Sequence, residues 1–136
     1  MIRPIIRDVL FLGQKSSPAT RADIPVGDDL LDTLKANTDR CVGMAANMIG
    51  VHKNIIVIDT GLLKQVMYNP IITKRSGPYE TQEGCLSLDG VRPATRYREI
   101  TVRFQDREFK WHTVRYTGFP AQIIQHEIDH LNGIII

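Results

Sequence analysis

The sequence has no apolar run approaching the roughly 20 residues that a membrane-spanning helix requires. Its N-terminus, Met1-Ile2-Arg3-Pro4, develops no apolar core of the kind that marks a secretory leader. Both absences lead us to expect a cytoplasmic protein. Cysteine is scarce: Cys41 and Cys85 are too few for a disulfide framework, so each is treated as a thiol with its own role. Charge of neither sign is in excess, and a net charge of +2 gives no nucleic-acid footprint. Internal repeats, low-complexity tracts and linkers are missing as well. A chain of 136 residues can bury a core without disulfide or metal staples, so residues 1–136 are expected to form one domain.

Several segments carry clear periodicity. Residues 28–39 place Leu30, Leu31 and Leu34 at helical spacing, which predicts an amphipathic helix near the N-terminus. Residues 54–59, Asn-Ile-Ile-Val-Ile-Asp, are β-branched and precede a Thr-Gly turn signal, which predicts a strand. Further strands are expected at 66–68, at 71–72 beyond a proline, at 100–104 and at 110–116. Gly118-Phe119-Pro120 punctuates before a helical pattern over 121–131, where Ile123, Ile124, Ile128 and Leu131 form an apolar stripe. The expectation is an α+β class, with antiparallel or mixed sheets packed around the C-terminal helix.

That last helix carries Gln125-His126-Glu127-Ile128-Asp129-His130, an HExxH element. On a helix of roughly 3.6 residues per turn the two histidines share a face, while Glu127 stands about 100° around it. Two imidazoles one turn apart can close on one metal ion, and a glutamate beside it can act as general base toward water. A metal-dependent hydrolase is therefore the first reading, and it needs a third ligand. Cys85, in Gln82-Glu83-Gly84-Cys85-Leu86-Ser87, supplies a thiolate that would leave a fourth tetrahedral position open. The same residue also suits a small buried hydrophobe, and its surroundings alone do not choose between the two.

Three ordered blocks bear on that choice: Cys41 to Met48, Glu83 to Ser87, and Gln125 to His130. Together they resemble the peptide deformylase family, marked by GΦGΦAAxQ (Φ apolar), EGCΦS and QHExxH blocks. The resemblance covers nearly the whole chain. It implies that Cys85, His126 and His130 bind one divalent ion and that Glu127 moves the proton. The reaction it implies is hydrolysis of the formyl group from the N-terminal formyl-methionine of new polypeptides, with release of formate. It further implies ferrous iron in the cell, with nickel, cobalt or zinc accepted, a choice that a thiolate with two imidazoles does not itself make. Nascent formyl-methionyl peptides, met at the ribosome, are the implied partners. The backbone N–H of Leu86 would be one oxyanion donor. Val42, Gly43, Glu83, Arg92, Phe119, Ile123 and Ile124 fall where the resemblance and position suggest substrate contacts or support of the site.

The chain departs from the family pattern in three places. Met48 stands at the glutamine that ends the first block, and a thioether has no proton to donate to an oxyanion. Asn47 offers an amide one residue earlier, but in an extended segment it points to the opposite face. Cys41 replaces the first glycine of that block, where a side chain either packs or narrows the pocket. Past Asn132-Gly133, the apolar Ile134-Ile135-Ile136 is expected to pair as a strand or lie in an interface. Met48 supports an alternative function, a deformylase-like protein with weakened or lost catalysis that still binds metal and peptide. A zinc metalloprotease is a third reading, weakened by the upstream cysteine. His52 and His112 are treated as structural or exposed, and Arg96 to Glu99 as a solvated strand end.

Overall fold

The computed structural model describes residues 1–85 and 87–135. Five strands form one antiparallel sheet in the order β1 (Gly43–Ala45), β2 (Ile55–Asp59), β3 (Lys64–Cys85), β4 (Leu88–Gln105) and β5 (Trp111–Thr117). A short helix α1 (Val9–Leu12) precedes α2 (Ile24–Lys35), and α3 (Gly118–Leu131) follows the sheet. The expected α+β class is observed. Among the described residues, no helix is long and apolar enough to cross a membrane.

Helix α2 starts earlier than the leucine spacing indicates, because the fixed φ of Pro25 suits a first helical turn. It buries Leu30 and Leu34 completely. Both α2 and α3 pack against β1 and β2, so Ile55, Ile56, Val57 and Ile58 are all enclosed. Such double coverage explains why β2 reads as a continuous apolar run rather than an alternating one.

Sequence patterning divides 66–68 from 71–72 and misses most of β3 and β4. In the fold they belong to one long hairpin whose outer halves are polar and exposed, so hydrophobic alternation does not mark them. The break at Asn69-Pro70 is a bulge: Asn69 adopts φ 54°, and pairing with β4 slips between Tyr68 and Ile71 before resuming. The Asn69 side chain is tied to Ala19, accepting from its N–H at 2.8 Å and donating to its carbonyl at 3.0 Å. Those bonds hold the N-terminal segment against the sheet.

Strand β5 pairs with β4 only as far as Glu99, which leaves Tyr97 on an open edge. The Gln125 amide covers that edge, accepting from Tyr97 N–H and donating to Tyr97 O, both at 2.8 Å. The side chain thus docks α3 as a strand neighbour would. Helix α3 itself begins three residues before the expected 121, taking Pro120 into its first turn. It ends in a Schellman arrangement, with Gly133 at φ 75°, its N–H bonded to His130 O, and Ile134 N–H bonded to Asp129 O, each at 3.0 Å. The expected terminal strand is absent from the described residues: 132–135 form a turn and coil. Ile135 packs against the core, whereas Ile134 is half exposed.

A Cβ on Gly133 would stand 2.5 Å from the Gly13 carbonyl oxygen, at a φ that L-residues rarely adopt. Gly133→Ala is expected to destabilise the protein by about 2 to 3 kcal/mol. Chemical denaturation measures this, with loss below 0.5 kcal/mol as the contrary result.

Candidate active site

The extended hairpin β3–β4 carries Cys85 at its tip, and the docked helix α3 brings its own inner face against it. One ligand atom each from Cys85, His126 and His130 lies within 4.8 Å of the others. The His126 and His130 Nε2 atoms are 2.9 Å apart. Two imidazole nitrogens and a sulfur at such spacing could hold a metal ion, and three such donors would leave a fourth tetrahedral position open.

A buried network aims these donors. Glu83 Oε1 accepts from His126 Nδ1 at 2.8 Å, which commits that nitrogen as a donor and leaves Nε2 free to coordinate. The same carboxylate accepts from Arg96 Nη2 at 2.7 Å and Nε at 3.0 and 3.1 Å, and from Gln122 Nε2 at 2.8 Å. Arg96 Nη1 also reaches Asp129 Oδ2 at 2.7 Å, so the guanidinium ties β4 to both β3 and α3. Burial opposes ionisation of Glu83, but the bonds from His126, Arg96 and Gln122 outweigh it and hold the acid down at about 2. Burial likewise works against a charged His126, yet the bonds to Cys85 and Glu83 raise its pKa. For His130 burial and the neighbouring His126 charge both act downward. Coordination through Nε2 requires an uncharged imidazole, so metal binding at this pair is expected to weaken as pH falls.

Glu127 is 4% exposed, and its Oε1 has no hydrogen-bond partner among the described residues. Burial first, and then the Glu83 charge, push its acid up to about 7. A carboxyl group so placed can take up and return a proton near neutral pH. Its other oxygen lies against the Gly43 backbone, where an added Cβ would be 2.9 Å away.

Glu127, His126 and Cys85 lie along a cleft of about 610 Å³. Val42, Gly43, Glu83, Phe119 and Ile123 line it as expected from the sequence, and so do Met48 and Cys41. Arg7 and Arg40 also line it. Ile124 is not part of the lining and is fully buried in the core. Arg92 lies outside the lining and bonds to Asp89 O at 3.4 Å. Leu86 lies outside the described residues. Asn47 sits in a 3₁₀ turn rather than an extended segment, and its amide donates to His130 O at 2.9 Å, away from the cleft. Met48 is 1% exposed, with its sulfur accepting from Ala45 N–H at 3.4 Å. Arg96 corrects the reading of 96–99 as a solvated strand end, because it is buried.

An α+β scaffold that gathers a thiol, two imidazoles and a buried carboxylate beside one cleft has the form of a metal-dependent hydrolase. The chain belongs to the polypeptide deformylase family, whose sequence profile matches residues 7–136. A peptide deformylase of Clostridium beijerinckii is 57% identical over 136 residues, the whole of both chains. A peptide deformylase crystal structure from Legionella pneumophila superposes with a TM-score of 0.89 at 34% identity, covering 99% of this chain and 83% of that one. The Met-Ala-Ser-bound class I type b enzyme of Acinetobacter baumannii gives 0.89 at 26% identity, covering 99% and 97%.

Glu83→Gln is expected to weaken metal binding by about 10- to 100-fold, as read by chelator competition. Glu83 is also a pH-dependent stabiliser. Its folded acid is depressed, so its contribution is complete above the ordinary carboxylate range and is lost as pH falls from about 4.5 toward about 2. Acid unfolding of the metal-free protein should show that loss, and Glu83→Gln should lack it.

Proposed function

We propose that this protein hydrolyses the formyl group from the N-terminal formyl-methionine of newly made polypeptides, in the cytoplasm, with residues 1–136 acting as one catalytic unit. The observation that supports the reading most is the placement of Cys85, His126 and His130 with ligand atoms within 4.8 Å of one another, beside a cleft of about 610 Å³ that the buried Glu127 lines. Cys85, His126 and His130 would hold one divalent ion, ferrous iron in the cell, with zinc, nickel or cobalt carried by purified protein. When bound, the ion supplies Lewis acidity, lowering the pKa of water and polarising the formyl oxygen.

The chain's own residues do the rest. Glu127 accepts the proton of the attacking water and returns it to the departing amine nitrogen as the C–N bond breaks, so formate and a free α-amine result. Glu83 fixes the ring plane and tautomer of His126. Val42, Phe119 and Ile123 offer apolar surface to the methionine side chain. The Leu86 N–H is assigned as an oxyanion donor by its place after Cys85, and Met48 contributes none. Nascent chains at the ribosome are the natural source of such substrates.

Formate release from a formyl-methionyl tripeptide by anaerobically prepared iron or nickel protein tests the reading. Glu127→Ala should lower kcat by at least about 10²-fold while leaving metal bound. No formate from wild-type protein with full metal occupancy would remove the proposal.

One observation favours a second reading, a protein with weakened or lost catalysis that binds metal and peptide. Met48 lines the cleft and its sulfur can only accept. Loss of one oxyanion donor typically lowers rate by about 10² to 10³. A gain of that size on Met48→Gln would favour the weakened site, and a change within about tenfold would sink it.

A further inference from the structure

Two arginines line the cleft, Arg7 and Arg40, and their surroundings differ. Arg7 Nη2 pairs with Asp89 Oδ1 at 3.0 Å, so one cation of the rim meets a carboxylate of the hairpin tip. Arg40 meets no carboxylate among the described residues: its Nη2 donates to a neutral oxygen, Asn37 Oδ1, at 2.9 Å. Asp39 precedes it in sequence but does not line the cleft. The acids that do line it, besides Asp89, are Glu83 and Glu127. Both are buried, and Glu83 is already saturated by Arg96, Gln122 and His126.

The exposed Arg40 side chain is nevertheless held in place. Asn37 Nδ2 donates to Thr33 O of α2 at 2.8 Å, and Arg40 N–H donates to Asn37 O at 3.0 Å. The turn that follows α2 thus presents the guanidinium at the cleft wall. A guanidinium carries five N–H donors in a planar fork, and the bond to Asn37 leaves donors for a carboxylate. Holding the group beforehand lowers the ordering cost of binding one.

Position along the cleft fixes which part of a peptide meets this cation. Gly43 stands against Glu127, where an added Cβ would be 2.9 Å from the carboxylate. Arg40 precedes Gly43 by three residues, so their Cα atoms are at most about 10 Å apart, the length of about three extended residues. A peptide that has its reacting amide beside Glu127 and runs along this wall reaches Arg40 with its second or third residue. We propose that Arg40 makes the cleft selective for a carboxylate at the second or third residue of the peptide, supplied by an aspartate or glutamate side chain or by the α-carboxylate of a short peptide. The identity of the peptide rests on the deformylase reading above. Lysine or arginine at the same place meets a like charge and is disfavoured. An exposed pair of this kind shifts affinity modestly and is weakened by salt.

Calorimetric titration of nickel-loaded protein at low ionic strength tests the preference. Met-Ala-Asp-amide, Met-Ala-Asn-amide and Met-Ala-Lys-amide vary the third residue, Met-Asp-Ala-amide and Met-Asn-Ala-amide vary the second, and Met-Ala-Ser against Met-Ala-Ser-amide varies the chain end. At the responsive position the acid is expected to bind about two- to fivefold tighter than its neutral counterpart, with lysine weakest. Arg40→Gln should level the series, Arg40→Glu should reverse its order, and salt at about 0.5 M should compress it. In kinetics on the formylated peptides the same order is expected in KM, with kcat within about twofold across the series. A preference seen with aspartate assigns Arg40 to a substrate side chain, and one confined to Met-Ala-Ser over its amide assigns it to the peptide terminus; both uphold carboxylate selection. Equal affinity within every acidic and neutral pair, or a preference for the acid that survives in Arg40→Glu, overturns the proposal. The two readings fail separately. Charge-selective binding without formate release upholds Arg40 and removes the deformylase function. Formate release with no charge preference does the opposite.

Discussion

The Glu83 carboxylate accepts hydrogen bonds from β4 and α3 at once, through Arg96, Gln122 and His126. An ionised carboxylate out of water is costly unless its lone pairs are filled, and here they are. The consequence is geometric. Glu83 precedes Cys85 by two residues on the same strand, so tying Glu83 to α3 also brings the thiol to the histidines. Arg96 extends the node to Asp129, just before His130. One buried carboxylate thus links the hairpin tip that carries Cys85 to the helix that carries His126 and His130.

The electrostatics of the cleft follow from the same node. Glu83 and Glu127 are both acids out of solvent, but one is surrounded by donors and the other is not. The first is held at about 2, and the second is lifted to about 7. Opposite environments give two carboxylates two jobs, one fixed in charge and the other able to exchange a proton near neutral pH. Cys41, a few residues along the cleft wall, is pushed up to about 12 by burial and then by the Glu127 charge. It keeps its proton and remains a donor to Gly43 O, whereas Cys85 shares its site with two imidazoles.

The metal half of the site was legible in sequence because a helix writes its face at fixed spacing. His126 and His130 are one turn apart, and Gln122 sits one turn before His126, so a stripe of three polar residues was available as a signal for Glu83's other partner. Arg96 was not legible. It pairs across the hairpin with Tyr79, four residues before Glu83, within a strand pair whose length the patterning underestimates. The long hairpin was hidden for the same reason: its outer residues are solvated on both faces and lack alternation. The contacts of Cys41 and Met48 with β1 were hidden differently. That Cys41 and Met48 break the family pattern is visible in the sequence, but that their sulfurs fill opposite hydrogen-bonding groups of one strand edge requires the register of β1 on β2.

The central claim is that folding delivers Cys85, His126 and His130 to a single ion. X-ray absorption at the zinc edge of zinc-loaded protein tests it without reference to turnover. One sulfur at about 2.3 Å and two imidazole nitrogens at about 2.0 to 2.1 Å are expected, values typical of zinc bound by such donors, with the sulfur contribution lost in Cys85→Ser. A coordination shell of nitrogen and oxygen alone in the unaltered protein would contradict it.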